Sequence, residues 1–244
     1  ISEMQWVLDS YNLVYATFLL TGGALGDLYG RLRVFACGIA LIVIGSLVCA
    51  LAPDGTTLIA GRAVTGLGAA LEVTSSLAIV SITFPDAKAR GRALGLWASC
   101  NGVAMAIGPT IGGLLVDHVG WRSIFVLSVP IGLATLLLSY LYVAESRHPQ
   151  GRQLDPAAQF FAVIGLGALS FLTIEGQHRG WTSPLIVGMA IAAVGAAIAF
   201  VRVERGRPGA MVPLDIFRNA PFNAALAIAG LMTFGMYSML FLMP

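Results

Sequence analysis

Charge is what this sequence has least of. Only 11% of its 244 residues are Asp, Glu, Lys or Arg, while 57% are hydrophobic; ordinary soluble domains carry roughly a quarter charged residues. A soluble chain of this length has too little interior to hide that much apolar surface, so composition points to a protein that crosses the bilayer several times. A net charge of only +2 gives no basic surface for nucleic acid. Cysteine is scarce too: Cys37, Cys49 and Cys100 all fall in apolar runs, which reads as packing rather than a disulfide framework. His118, His148 and His178 lie in loops without metal-ligand spacing, and there is neither a G-x-S-x-G elbow nor a phosphate-binding loop. The apolar runs lack the period-two alternation of a transmembrane barrel. No basic flank precedes the first apolar span, the first base being Arg31, so no signal peptide is read. The chain opens at Ile1 beside one apolar span and closes inside another. A fragment is therefore expected, short of at least one span in front and several behind.

What is present is a series of long apolar runs. At about 20 residues for a ~30 Å hydrocarbon core, eight spans are expected, at 5–26, 34–52, 56–83, 91–116, 123–144, 157–176, 184–203 and 222–244. The third is overlong, which implies tilt or projection into water. With the loop after the first span taken as cytoplasmic and the sides alternating, eleven of the fourteen bases face the cytoplasm. They are Arg31, Arg33, Lys88, Arg90, Arg92, Arg147, Arg152, Arg202, Arg205, Arg207 and Arg218; Arg122 and Arg179 face outward, and Arg62 lies within the third span. That bias sets the orientation. Trp6, Trp121 and Trp181 then fall near the outer interface. Residues 147–155, with Pro149 and Gly151, read as a cytoplasmic linker, and 211–218 mix apolar and basic residues as a segment lying along the inner interface does.

One stretch organises the rest. Residues 23–33 read G-x-L-x-D-x-x-G-R-x-R between two apolar runs, with Gly23, Asp27, Gly30, Arg31 and Arg33 as the marked positions. This reads as a tight loop joining two membrane helices. An acid at one helix end and guanidinium groups one turn later suit a charge-assisted network with a neighbouring helix end, a latch made in one conformation and broken in another. Gly, Leu, Asp and Gly recur ninety residues on, at Gly113, Leu115, Asp117 and Gly120. An internal repeat of about three helices follows, its two loops on opposite faces.

Three ionisable residues lie inside spans. A guanidinium within a span is costly and is a functional candidate by default. Arg62 is followed by Gly66, Gly68 and Ala69, which allow another helix to come close; the alternative is an arginine snorkelling to the outer headgroups. Asp9 sits at similar depth, where it is either a partner for Arg62 or an interfacial acid. Glu72 lies ten residues beyond Arg62 on the same helix, about 15 Å further in. There it either faces a cavity, as a proton or cation site, or is a hydrogen-bonded acid at a helix junction. In the fourth span, within Gly102 to Gly113, Ala104, Gly108 and Gly112 are four apart and give a smooth stripe beside a helix-bending Pro109, suited to a pivot or seal or to plain close packing.

Three of these patches resemble the major facilitator superfamily. The 23–33 loop is similar to its inner-loop motif, Arg62 with Gly66 and Gly68 to its arginine-bearing motif, and Gly108-Pro109 with Gly112-Gly113 to a motif associated with antiporters rather than importers. Segments 5–11, 120–125 and 213–219 resemble the fourteen-helix drug:proton antiporter branch, in which two extra spans join six-helix halves. The resemblance implies an all-α polytopic fold of inverted three-helix repeats. Residues 1–145 would be a first bundle lacking its first helix, 146–206 an inner linker with the two extra spans, and 207–244 an inner loop and the start of a second bundle. It further implies a monomeric multidrug exporter of the inner (plasma) membrane, driven by the proton gradient with no other cofactor. Arg62 would couple protonation to movement, with Asp9 and Glu72 as proton or cation sites. Thr65 stands where glutamine is usual, Ser128 where asparagine is common, and Glu72 where an apolar residue is usual. The rival readings are an importer or metabolite symporter of the same superfamily, and a membrane-embedded lipid-modifying enzyme.

Overall fold

The computed structural model describes residues 2–147, 155–205, 212 and 214–242. Among them, all regular structure is helical: α1 (Ser2–Tyr29), α2 (Arg31–Leu51), α3 (Gly55–Thr83), α4 (Ala87–Val119), α5 (Arg122–Tyr142), α6 (Pro156–Arg179), α7 (Pro184–Glu204), a 3₁₀ turn (Leu214–Arg218) and α8 (Ala220–Leu242). His148, Pro149, Gly151, Arg152, Arg207, Met211 and Pro213, assigned above to the inner side, lie outside the described residues. Among the described residues six helices, α2 to α7, are long and apolar enough to cross a membrane. The eight expected spans are thus eight helices, of which α1 falls short of that measure. In α1 the apolar run is diluted by Glu3, Asp9, Asn12 and Asp27. In α8, Ala220–Gly235 form an apolar stretch.

Helix starts follow from local chemistry. Asp54, Asp86, Asp155 and Ser183 each accept a backbone N–H of the first turn of the helix they precede, and Pro156 and Pro184 open α6 and α7 where a missing N–H costs nothing. The hydrogen bond from Thr57 N, at 2.7 Å, lowers the pKa of the Asp54 carboxyl by favouring its charged form. Three helix junctions turn on glycines with positive φ: Gly30 (112°) between α1 and α2, Gly120 (100°) between α4 and α5, and Gly180 (84°) between α6 and α7.

The first of these corrects the sequence reading. Residues 27–33 are not a loop: α1 runs to Tyr29 and α2 begins at Arg31, with Gly30 alone making the turn. Gly30 and Gly120 are also matching positions of the ninety-residue repeat.

α3 is the centre of the packing, flanked by α1 and α2. A Cβ on Gly38 would lie 2.7 Å from the Gly68 carbonyl oxygen and 2.8 Å from Glu72 N, and one on Gly45 would lie 2.8 Å from the Gly61 carbonyl. Two glycine pairs therefore let the antiparallel α2 and α3 backbones touch. On the other side Gly66 meets the Tyr11 carbonyl, and a Cβ on Gly22 would lie 2.7 Å from Thr74 Oγ1. α5 packs on α2, and the α6–α7 hairpin docks on α1.

α4 differs. None of its residues is buried, and nothing lies within 4 Å of a Cβ built on Gly102, Gly108, Gly112 or Gly113. The helix runs unbroken through Pro109 and touches α3 and α5, but these glycine positions meet no neighbour among the described residues.

Candidate functional site

The packing of α1 against α3 places Arg62. Its Nε donates to the Val7 carbonyl at 3.2 Å, and its guanidinium carbon stands 4.4 Å over the Tyr11 ring. Tyr15, one turn further along α1, holds its ring parallel to that of Tyr11, with 2° between the planes and 6.0 Å between centroids. The Asp9–Arg62 pair considered from sequence is not formed. Similar depth along two helices does not decide which way each side chain points. Arg62 instead takes a neutral carbonyl and an aromatic face, the latter a cation–π contact. Asp9 and Glu72 are half-buried, and neither has a hydrogen bond or ion pair among the described residues. Glu72 does not meet Arg62 but lies at the α2 crossing, its backbone N beside Gly38.

The second cluster gathers at the C-terminal end of α1, the end read above as cytoplasmic. Arg31 binds Asp27 at 2.5 Å, and both side chains are largely buried, 11% and 23% exposed. Sequence reasoning missed the group that this cluster engages. Glu145, just past the end of α5, accepts from Leu32 N and Arg33 N, each at 3.1 Å, and the Ser146 carbonyl accepts from Arg31 N at 2.9 Å. A carboxylate thus caps the N-terminus of α2, where free N–H groups and the helix dipole favour negative charge. Arg33, 74% exposed, adds a loose ion pair to Glu145 at 3.7 Å, which is worth little in water. The available signal was a lone acid at the inner end of the fifth span.

Gly30 is what lets Glu145 approach: a Cβ there would lie 2.8 Å from the carboxylate oxygens, and its φ of 112° disfavours any side chain. Gly30→Ala is expected to destabilise the protein by about 1–3 kcal/mol, read as a lowered melting temperature in detergent; an unchanged value would remove Glu145 from this role.

The repeat is not electrically symmetrical. Arg122, at the second copy, donates to the Ala52 carbonyl at 2.8 Å and lies 4.3 Å over Trp121, and Asp117 makes no ion pair among the described residues. Only the inner copy has its acid and base joined.

The α6–α7 hairpin is clasped to α1 at both ends. Toward the inner side Gln159 Nε2 donates to the Thr17 carbonyl at 3.1 Å, and its Oε1 accepts from Thr21 Oγ1. At the other end the ring centroids of Trp6 and Phe171 lie 6.2 Å apart. Between the clasps α1, α6 and α7 enclose an apolar cleft of about 510 Å³, which Asp9, Arg62 and Glu72 do not line.

Comparison with known proteins bears on this geometry. The chain is 42% identical over 240 residues to the multidrug resistance protein Stp of Mycobacterium tuberculosis, covering 98% of this chain and 44% of that protein. It is 38% identical to a methylenomycin A resistance protein of Bacillus subtilis, over all of this chain and 52% of that one. To the drug efflux pump JefA of Mycobacterium tuberculosis it is 34% identical, over 92% and 44%. The chain spans about half the length of these relatives. Across residues 1–244 it also matches the family model described as Major Facilitator Superfamily. With membrane-length helices, an inner junction built on Gly30 and Asp27, and an arginine inside α3, this multi-pass membrane chain belongs to the Major Facilitator Superfamily.

Proposed function

We propose that the protein carrying this chain exports small amphipathic organic molecules in exchange for protons, by alternating access, across a bacterial plasma membrane. The observation that carries this reading is the state of Arg62. It lies within a membrane helix, yet its partners are a carbonyl and a tyrosine face rather than a carboxylate. A cation held by neutral partners is one that a newly charged acid can capture. In this mechanism Asp9, neutral when protonated, loses its proton, and the resulting charge draws Arg62 away from Val7 and Tyr11, while Glu72, about 15 Å further along α3, serves as a second proton or cation site. Because Arg62 bridges α3 to α1, its shift biases the packing of those helices and with it the equilibrium between inward and outward states. The joined Asp27–Arg31 pair and the Glu145 cap act as the latch of one state, since both bind helix ends across an inner junction. Residues 1–145 serve as the first bundle and α6–α7 as the linking spans. The relatives named for multidrug resistance and drug efflux support the cargo class, and the proton gradient supplies the energy.

The test uses inside-out vesicles holding the transporter that contains this chain. With an imposed proton gradient, adding an amphipathic dye is expected to release protons from the vesicle lumen. No release across a broad panel of amphiphiles would overturn the export reading in favour of a narrow importer.

A further inference from the structure

We infer that Tyr11 and Tyr15 form the surface that receives flat aromatic cations, and that such a ligand takes over the Tyr11 face held here by Arg62. The inference deepens the export reading, resting on it for the cargo.

Three observations carry it. First, the two rings are parallel to within 2° and adjacent along one face of α1, so they present an aromatic strip rather than an edge-to-face core pair. Second, the structure shows what that strip accepts: a guanidinium, itself a flat delocalised cation, lies 4.4 Å over Tyr11. Third, the occupant is lightly held. Arg62 donates one hydrogen bond, from Nε to the Val7 carbonyl, and its remaining N–H groups find no acceptor among the described residues. A planar aromatic cation offers Tyr11 the same charge together with stacking area that an arginine lacks. Its arrival expels Arg62 by like-charge repulsion as well as by competition for the ring. Substrate binding and proton loss would then act through one group, because each removes Arg62 from the same place. Neutral amphiphiles would bind without moving it.

The experiment measures equilibrium binding of ethidium, a planar aromatic cation, to the purified transporter containing this chain, with a neutral polycyclic dye of similar size beside it. Tyr11→Leu and Tyr15→Leu are each expected to weaken ethidium binding about tenfold, as loss of a desolvated cation–π contact implies. Tyr11→Phe and Tyr15→Phe should stay within about threefold of wild type, since the ring rather than the hydroxyl carries the contact. The neutral dye should be insensitive to all four. Tyr140→Leu, on the exposed side of α5, should change nothing. Arg62→Gln removes the competing cation without touching the tyrosines, so it should tighten ethidium binding about threefold even as coupling is lost. Equal losses for charged and neutral dyes, failure of the Phe variants, or weaker ethidium binding in Arg62→Gln would each overturn the inference, as would a wild type that binds no ethidium. Tyrosine-dependent binding without proton release would overturn the export reading instead and leave the aromatic surface standing.

Discussion

Arg62→Ala is expected to lower dye-driven proton release by about a hundredfold, which lies within the range of allosteric coupling energies, with the protein still present at normal level in the membrane. The reason is geometric. Arg62 is the cation that ties α3 to α1, through a backbone carbonyl and an aromatic ring. Alanine leaves the newly charged carboxylate nothing to pull on. Arg62→Lys keeps the charge but replaces a flat fork with a compact ammonium that cannot lie over Tyr11 while donating to Val7, so it should restore little. The measurement is pH-dependent fluorescence inside inverted vesicles, with expression checked by blot. Normal release in Arg62→Ala would sink the coupling role and leave Asp9 or Glu72 to act without it.

Gly68→Val should have the largest effect on stability. A Cβ at Gly68 already meets the Gly38 carbonyl oxygen at 2.5 Å and Ile42 N at 2.8 Å. These are backbone atoms and cannot swing aside, so α2 and α3 must separate along a crossing that also carries the Gly45–Gly61 pair. Overpacking in a well-packed interior costs about 1–3 kcal/mol and sometimes more; here a cost at or above the upper end is expected. Gly195→Val on α7, where nothing lies within 4 Å, should cost less than about 1 kcal/mol. Thermal unfolding of both variants in detergent decides it: equal melting temperatures would mean that the α2–α3 crossing does not hold the bundle together.

Much of this architecture was legible because a bilayer is a severe solvent. Spans of sufficient length and apolarity must be helices, and the observed helices begin and end within a few residues of the expected bounds, as α3 at Gly55–Thr83 shows. The repeat was legible because the positions it marked, Gly30 and Gly120, are those at which the backbone takes a conformation that disfavours side chains.

What escaped the sequence depends on direction and on distant partners. Charge within 23–33 reads as loop, yet a single glycine suffices for the turn and the charged residues sit on helix ends. Glu145 lies more than a hundred residues from the α2 amides that it caps, and no local pattern announces a long-range cap. Asp9 and Arg62 were matched by depth alone, and rotation about the helix axis decides whether two residues at one depth meet. The stripe on α4 meets no neighbour among the described residues, and smoothness in a sequence does not name a partner.

The two clasps at Gln159 and Trp6 have a consequence for how the polypeptide is assembled. If the α6–α7 hairpin is held to α1 by its own contacts, covalent continuity between Arg147 and Asp155 is dispensable for its placement. Two separately translated pieces, divided in that interval, should find each other in the bilayer and co-purify as a stoichiometric pair. Gln159→Leu together with Trp6→Ala should part them. The hairpin would then be a subunit in all but gene structure.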